Sequence, residues 1–185
     1  MRKNFGVKPW TYPQPVFIIG TYDENGKADA MNAAWGGMSE GDELCMCLSP
    51  GHKTVKNMLK KKEFTVSMGT VDTVAICDYV GMVSGNSTPD KMEKAGLHDE
   101  KAEFVDAPYF KELPMTLECR LTKFDPMTCH CFGQIVNISV DDSVITNGTI
   151  DPDKLKPLVL DPVNSKYCAL GEAVGEVLKS GAALR

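Results

Sequence analysis

The chain has 185 residues, of which 43% are hydrophobic and 24% charged, enough for one substantial core and too apolar for wholesale disorder. With 20 Lys+Arg against 25 Asp+Glu the formal net charge is −5, which argues against a broad nucleic-acid surface and confines any anion binding to a local pocket. The first residues reach Pro9, Pro13 and Pro15 without an apolar run of signal-peptide length, and no segment has the apolar length that spans a bilayer, so the expectation is a cytoplasmic single domain over 1–185 with no membrane partner.

Pro13-Gln14-Pro15 leads into the β-rich run Val16-Phe17-Ile18-Ile19-Gly20-Thr21-Tyr22, and Asn25-Gly26 marks a tight turn after which a strand returns. The returning segment carries Ala28, Ala30, Asn32 and Ala34 on one side. Residues this small leave room for a ligand, or equally for a packed helix. Trp35-Gly36-Gly37 ends the segment, and Leu44-Cys45-Met46-Cys47-Leu48-Ser49 follows as another apolar run.

Pro50-Gly51-His52-Lys53-Thr54 then opens a helix. Val55, Met58 and Leu59 give it one apolar stripe, while Lys53, Lys56, Lys60, Lys61 and Lys62 occupy the other faces. Unpartnered N–H groups in its first turn, the positive end of its dipole and Lys53 favour a phosphate or carboxylate there. The alternative is that Ser49 or Thr54 caps the helix and the lysines form a solvated face.

Glu63-Phe64-Thr65-Val66-Ser67-Met68 alternates as a strand, and Asp72 is placed to cap a helix from Thr73 to Val80. A loop containing Ser84 and Gly85 precedes a short helix from Asp90 that Gly96 ends. From Met115 a second strand alternates, with Met115, Leu117, Cys119 and Leu121 inward and Thr116, Glu118, Arg120 and Thr122 outward. Its hairpin partner puts His130, Phe132, Gln134, Val136, Ile138 and Val140 on one face. Leu155, Leu158, Val159 and Leu160, a Tyr167-Cys168-Ala169-Leu170 stretch and a short helix over 172–179 complete the chain.

The seven cysteines are odd in number and include no Cys-x-x-Cys, which argues against a disulfide framework. Cys45, Cys47, Cys129 and Cys131 with His130 raise a thiolate metal site as an alternative. Same-face strand packing accounts for Cys45 and Cys47 without one, as small apolar fillers, and no metal ligand is assigned. Short strands, two hairpins and interspersed helices without regular β-helix-β alternation predict a mainly β fold, a β-barrel with added helices.

In their order these features resemble the flavin reductase-like family of FMN-binding split barrels, flavoredoxin branch. Pro15-Val16-Phe17-Ile18-Ile19-Gly20-Thr21 with the Asn25-Gly26 turn is similar to the family's opening hairpin. Asn32-Ala33-Ala34-Trp35 resembles the segment lying along the flavin ring, and Ser49-Pro50-Gly51-His52-Lys53-Thr54 the loop that takes the phosphate. Val83-Ser84-Gly85 with Asp90-Lys91-Met92, and then Ala107-Pro108-Tyr109-Phe110 with Leu117-Glu118-Cys119, resemble the next blocks. Thr128-Cys129-His130-Cys131-Phe132-Gly133-Gln134 matches the late Gly-Asp-His segment in part.

The resemblance implies a Greek-key split barrel and an FMN-binding homodimer with two interfacial sites, without nucleic-acid or membrane partners. It implies a flavin or ferric reductase that takes hydride from NADH or NADPH onto FMN and passes electrons to free flavin, iron or a redox protein acceptor. The alternative is a non-enzymatic FMN electron carrier. The implied cofactor contacts are Met31, Asn32, Ala33, Ala34, Trp35, Cys47, Leu48, Ser49, His52, Lys53, Thr54, Ser84, Gly85 and Lys91, and the implied catalytic residue is His130.

Overall fold

A computed structural model describes residues 1–184. In chain order its elements are β1 (Gln14–Pro15), β2 (Phe17–Tyr22), β3 (Ala28–Ala33), β4 (Gly36–Glu40), β5 (Glu43–Cys47), α1 (Lys53–Lys61), β6 (Glu63–Met68), α2 (Val74–Met82) and α3 (Lys91–Ala95). There follow β7 (Asp99–Lys101), β8 (Pro108–Phe110), β9 (Met115–Asp125), β10 (His130–Val140), β11 (Ile145–Thr146), β12 (Thr149–Ile150), α4 (Pro152–Leu155), β13 (Leu158–Asp161) and β14 (Lys166–Ala169).

Seven strands form one sheet in the order β3-β2-β6-β9-β10-β5-β4, antiparallel at each junction. Its two edge strands, β3 and β4, are consecutive in sequence and joined only by Ala34 and Trp35. A two-residue link reaches from one edge to the other only if the sheet curls nearly closed. The fold is therefore a barrel split between β3 and β4; the sequence pattern predicted the β-barrel with added helices, and the family resemblance implied the split.

Phe17, Ile19, Leu44, Met46, Phe64, Val66, Leu117 and Cys119 fill the barrel, and Val55 and Met58 of α1 join them. A second core lies under α2 and α3, built on Val16, Ile18, Ala28 and Ala30. Strand β2 is thus covered on both faces, which is why its sequence reads as a continuous apolar run. Ala28 and Ala30 are small because helices pack on them. Gly81 of α2 comes close for the same reason, since a Cβ there would lie 3.1 Å from Asn32 Cβ.

The opening hairpin forms as predicted, with Gly26 at φ +77° in its turn. Several local expectations are corrected. Thr70, not Asp72, caps the α2 region, through a reciprocal hydrogen-bond pair with Thr73 over the 3₁₀ turn that precedes the helix. Thr116 and Glu118 of β9 stand on the outer face, opposite Leu117 and Cys119, but are buried rather than exposed. The excursion over 98–110 covers them, and the Glu118 carboxylate accepts Phe104 N at 2.7 Å and Asn137 Nδ2 at 2.8 Å. Alternation marks two faces of a strand, but it cannot see a loop that covers the outer one.

Bulges between Phe132 and Gly133 and between Ile135 and Asn137 break the single face expected of β10. Cys45 and Cys47 share a face as predicted, but it is the outer one; Leu44 and Met46 fill the core. Residues 172–179 form no helix. Val174, Val177 and Leu178 stay exposed, so no packed face repays the cost of helix nucleation. Among the described residues no helix is long and apolar enough to cross a membrane.

Candidate functional site

At the barrel split lies a cleft of about 370 Å³. One wall is Met31, Asn32, Ala33, Ala34 and Trp35, running off the end of β3 into the edge-to-edge link. Its floor is Cys47, Leu48, Ser49 and His52, between β5 and α1. Leu48 is held there by its N–H to Cys129 O at 2.8 Å, and Cys47 N donates to Trp35 O at 2.8 Å, so the floor is pinned to the link. All nine are residues the sequence nominated.

The far wall was not foreseen. It consists of Asp78, Gly81 and Met82 of α2 with Leu160 and Tyr167 of the β13–β14 hairpin. Asn32 Nδ2 donates to Cys77 O at 2.9 Å and to Tyr167 Oη at 3.3 Å, and Tyr167 Oη donates to Asp78 Oδ1 at 3.0 Å. Burial first, then the Asp78 carboxylate, push the Tyr167 phenol up to about 12, so it keeps its proton across the physiological range. Asp78 as a lone charge in Val-Ala-Ile-Cys-Asp-Tyr-Val was the signal available in the sequence. Nothing local ties Tyr167 to it.

The remaining nominated cofactor contacts lie apart from this cleft. Lys53, Thr54, Gly85 and Lys91 gather around Asp29, which is 2% exposed. Thr54 Oγ1 donates to Asp29 Oδ2 at 2.6 Å, and Lys91 Nζ donates to Ala30 O at 2.6 Å. Gly85 is glycine because a Cβ there would stand 2.1 Å from Asp29 Oδ1 and 3.1 Å from Lys53 Cδ. Lys53 Nζ faces Asp23 at 3.6 Å, and Ser84 Oγ accepts the Asn86 N–H at 3.2 Å in an exposed turn. Thr54 is thus engaged with Asp29, and no side chain caps α1; its first turn also lacks an acidic residue.

His130 is exposed on the outer face of β10, directly across from Cys47. It is one cross-strand step from the cleft and does not line it. Cys131, between Cys129 and the core, is fully buried and faces Met58, away from Cys45 and Cys47. That arrangement separates the ligand set of a thiolate metal site, and among the described residues no three His, Cys, Asp or Glu side chains converge to hold an ion.

The family profile for the flavin reductase like domain matches residues 10–171. The chain belongs to that family. Flavoredoxin of Desulfovibrio vulgaris (Miyazaki F) superposes with a TM-score of 0.93 at 32% identity, covering 98% of this chain and 100% of that one. The flavoredoxin from Methanosarcina acetivorans gives 0.86 at 26% identity, over 100% and 98%. An uncharacterized protein of Aquifex aeolicus (strain VF5) is 27% identical over 159 residues, 79% of each chain. These relatives put the chain on the flavoredoxin branch, among flavin-binding oxidoreductases.

The cleft suits a flat ring with a polar chain. Its volume falls within the range of small-molecule sites, and Ala33, Ala34, Trp35, Met82 and Leu160 supply apolar surface beside a few fixed polar groups.

Proposed function

We propose that this chain is an NAD(P)H-dependent reductase with FMN in the cleft at the barrel split, passing electrons to free flavin, iron or a protein acceptor. The observation that carries the reading is the meeting of Met31–Trp35 with Cys47–His52 across the gap between the sheet edges. Bound FMN supplies two-electron chemistry, accepting hydride from a reduced nicotinamide and releasing electrons singly or in pairs. The small side chains of Ala33 and Ala34 would leave room for the ring, and Trp35, 43% exposed, would shield it from water.

The uncapped first turn of α1, with the Ser49 hydroxyl beside it, offers donors for the phosphate. Lys53 is part-exposed and held by Asp23 only at 3.6 Å, so it is free to turn toward an anion. Lys91 acts from inside, fixing the β3 backbone through Ala30 O. His130 is the proposed catalytic group, meeting the nicotinamide or the acceptor as it arrives beside Cys47.

The working unit is proposed to be a homodimer with an FMN site at each interface. A second, strongly apolar cleft of about 410 Å³, lined by Phe17, Met38, Leu44, Met68, Met115 and Leu158 among others, supplies surface for a second copy. Light scattering at micromolar concentration should give twice the 20.2 kDa chain mass; a monomer removes this part of the reading.

The test is the absorbance of the purified protein followed by anaerobic mixing with NADH or NADPH. A yellow protein bleached by either nucleotide is expected. Bleaching by dithionite but by neither nucleotide removes the hydride step and favours the electron carrier reduced by a partner protein. A colourless protein that takes up no added FMN overturns the flavin reading. Lys53→Ala should raise the FMN dissociation constant roughly tenfold or more, the loss of one charge-assisted contact of about 1.5–3 kcal/mol. An unchanged constant by fluorescence titration would exclude Lys53 from the phosphate site.

A further inference from the structure

The far wall of the cleft has a hydrogen-bond polarity that its chemistry fixes completely. A backbone carbonyl only accepts, so the Cys77 O contact defines which end of the Asn32 amide is Nδ2. An ionised carboxylate also only accepts, so the Tyr167 hydroxyl is the donor toward Asp78 Oδ1. With the chain anchored at both ends, the Asn32–Tyr167 contact runs from Nδ2 to Oη.

Every donor on this wall is then used. Asn32 spends one N–H on Cys77 and the other on Tyr167, and Tyr167 spends its only proton on Asp78. What remains for a ligand is Asn32 Oδ1, the free Asp78 oxygen and a Tyr167 lone pair, which are acceptors without exception. Across the cleft the pattern reverses, with the Ser49 hydroxyl and His52 beside the uncapped, acid-free start of α1.

Resting on the flavin reading above, we infer that the Asn32–Tyr167–Asp78 wall binds the neutral, donor-bearing part of the ligand and repels its anionic end. Two portions of FMN carry such donors, the ribityl hydroxyls and the imide N–H of the ring. A phosphate or carboxylate against this wall meets only lone pairs and a negative charge. Asp78 and Tyr167 are positioning residues that set the direction in which the cofactor enters.

Titration of the flavin-free protein with riboflavin, lumiflavin and 3-methyllumiflavin, followed by flavin fluorescence, separates the two sources. If the wall takes the ribityl chain, riboflavin binds about tenfold or more tighter than lumiflavin, which lacks the chain. If it takes the imide, lumiflavin exceeds its 3-methyl derivative by a similar factor. Asp78→Asn keeps the acceptor for Tyr167 but turns a donor into the cleft, so whichever preference holds should fall below about threefold. Tyr167→Phe should reduce it as well, with circular dichroism and melting temperature reporting that each variant is folded.

Wild-type preferences retained in both folded variants would overturn the assignment while leaving the flavin reading intact. So would the absence of both preferences in the wild type. Failure of the wild type to bind any of the three flavins overturns the flavin reading and this assignment with it.

Discussion

Gly133→Ala should be among the most damaging single-methyl additions in this chain, lowering stability by about 2–3 kcal/mol. A Cβ at this position would stand 2.3 Å from Phe64 Cζ and 2.9 Å from Cε1. The Phe64 ring is fully buried in the barrel interior, so it has no free volume to retreat into. Gly133 sits at the bulge of β10, flanked by Leu44 on β5 and Leu121 on β9, and the backbone is pinned from both sides. Urea unfolding should show a lower midpoint with an unchanged slope. Phe64→Leu, which shortens the offending side chain, should rescue the alanine variant, so that the double mutant is at least about 1 kcal/mol more stable than the sum of the singles. Strict additivity would mean that the ring and the glycine are not in competition.

The same contact marks where sequence reading stops. Strand runs, the Asn25-Gly26 turn and the α1 stripe are written in neighbouring residues, so periodicity and turn chemistry found them. The cleft floor and the wall from Met31 to Trp35 were legible because a short link, small side chains and a helix start sit close together in the chain. Gly133 opposite Phe64, Glu118 beneath the 98–110 excursion and Tyr167 on Asp78 join residues 69, 14 and 89 positions apart. No local pattern encodes such pairs. The 172–179 helix failed for the converse reason: its pattern is present, but the fold gives it no surface to pack on. The nominated phosphate residues fall between these cases, since the family resemblance named Lys53, Thr54, Gly85 and Lys91 together and the structure gathers them around Asp29, a partner that no local pattern revealed.

That buried carboxylate leads to the second large effect. Lys91 is 3% exposed, and burial pulls its ammonium below the ordinary lysine range, with Lys53 adding to the depression and Asp29 opposing it. Asp29→Asn preserves an acceptor for Thr54 but takes away the nearby negative charge, leaving the interior ammonium with the Ala30 carbonyl as its partner and Lys53 as the neighbouring charge, which should cost about 2 kcal/mol or more. Lys91→Met in the same background removes the stranded charge, and the double mutant should recover most of that loss. The pH dependence gives an independent sign. A lysine whose folded pKa is depressed binds its proton less well in the native chain than in the unfolded one, so stability rises with pH between the depressed value and the ordinary one near 10.5. Asp29→Asn deepens the depression, and the rise should therefore begin at lower pH and grow larger. In Lys91→Met it should vanish. Melting temperatures of the three proteins between about pH 8 and about pH 11 would decide the matter, because a purely steric role for Asp29 predicts parallel curves.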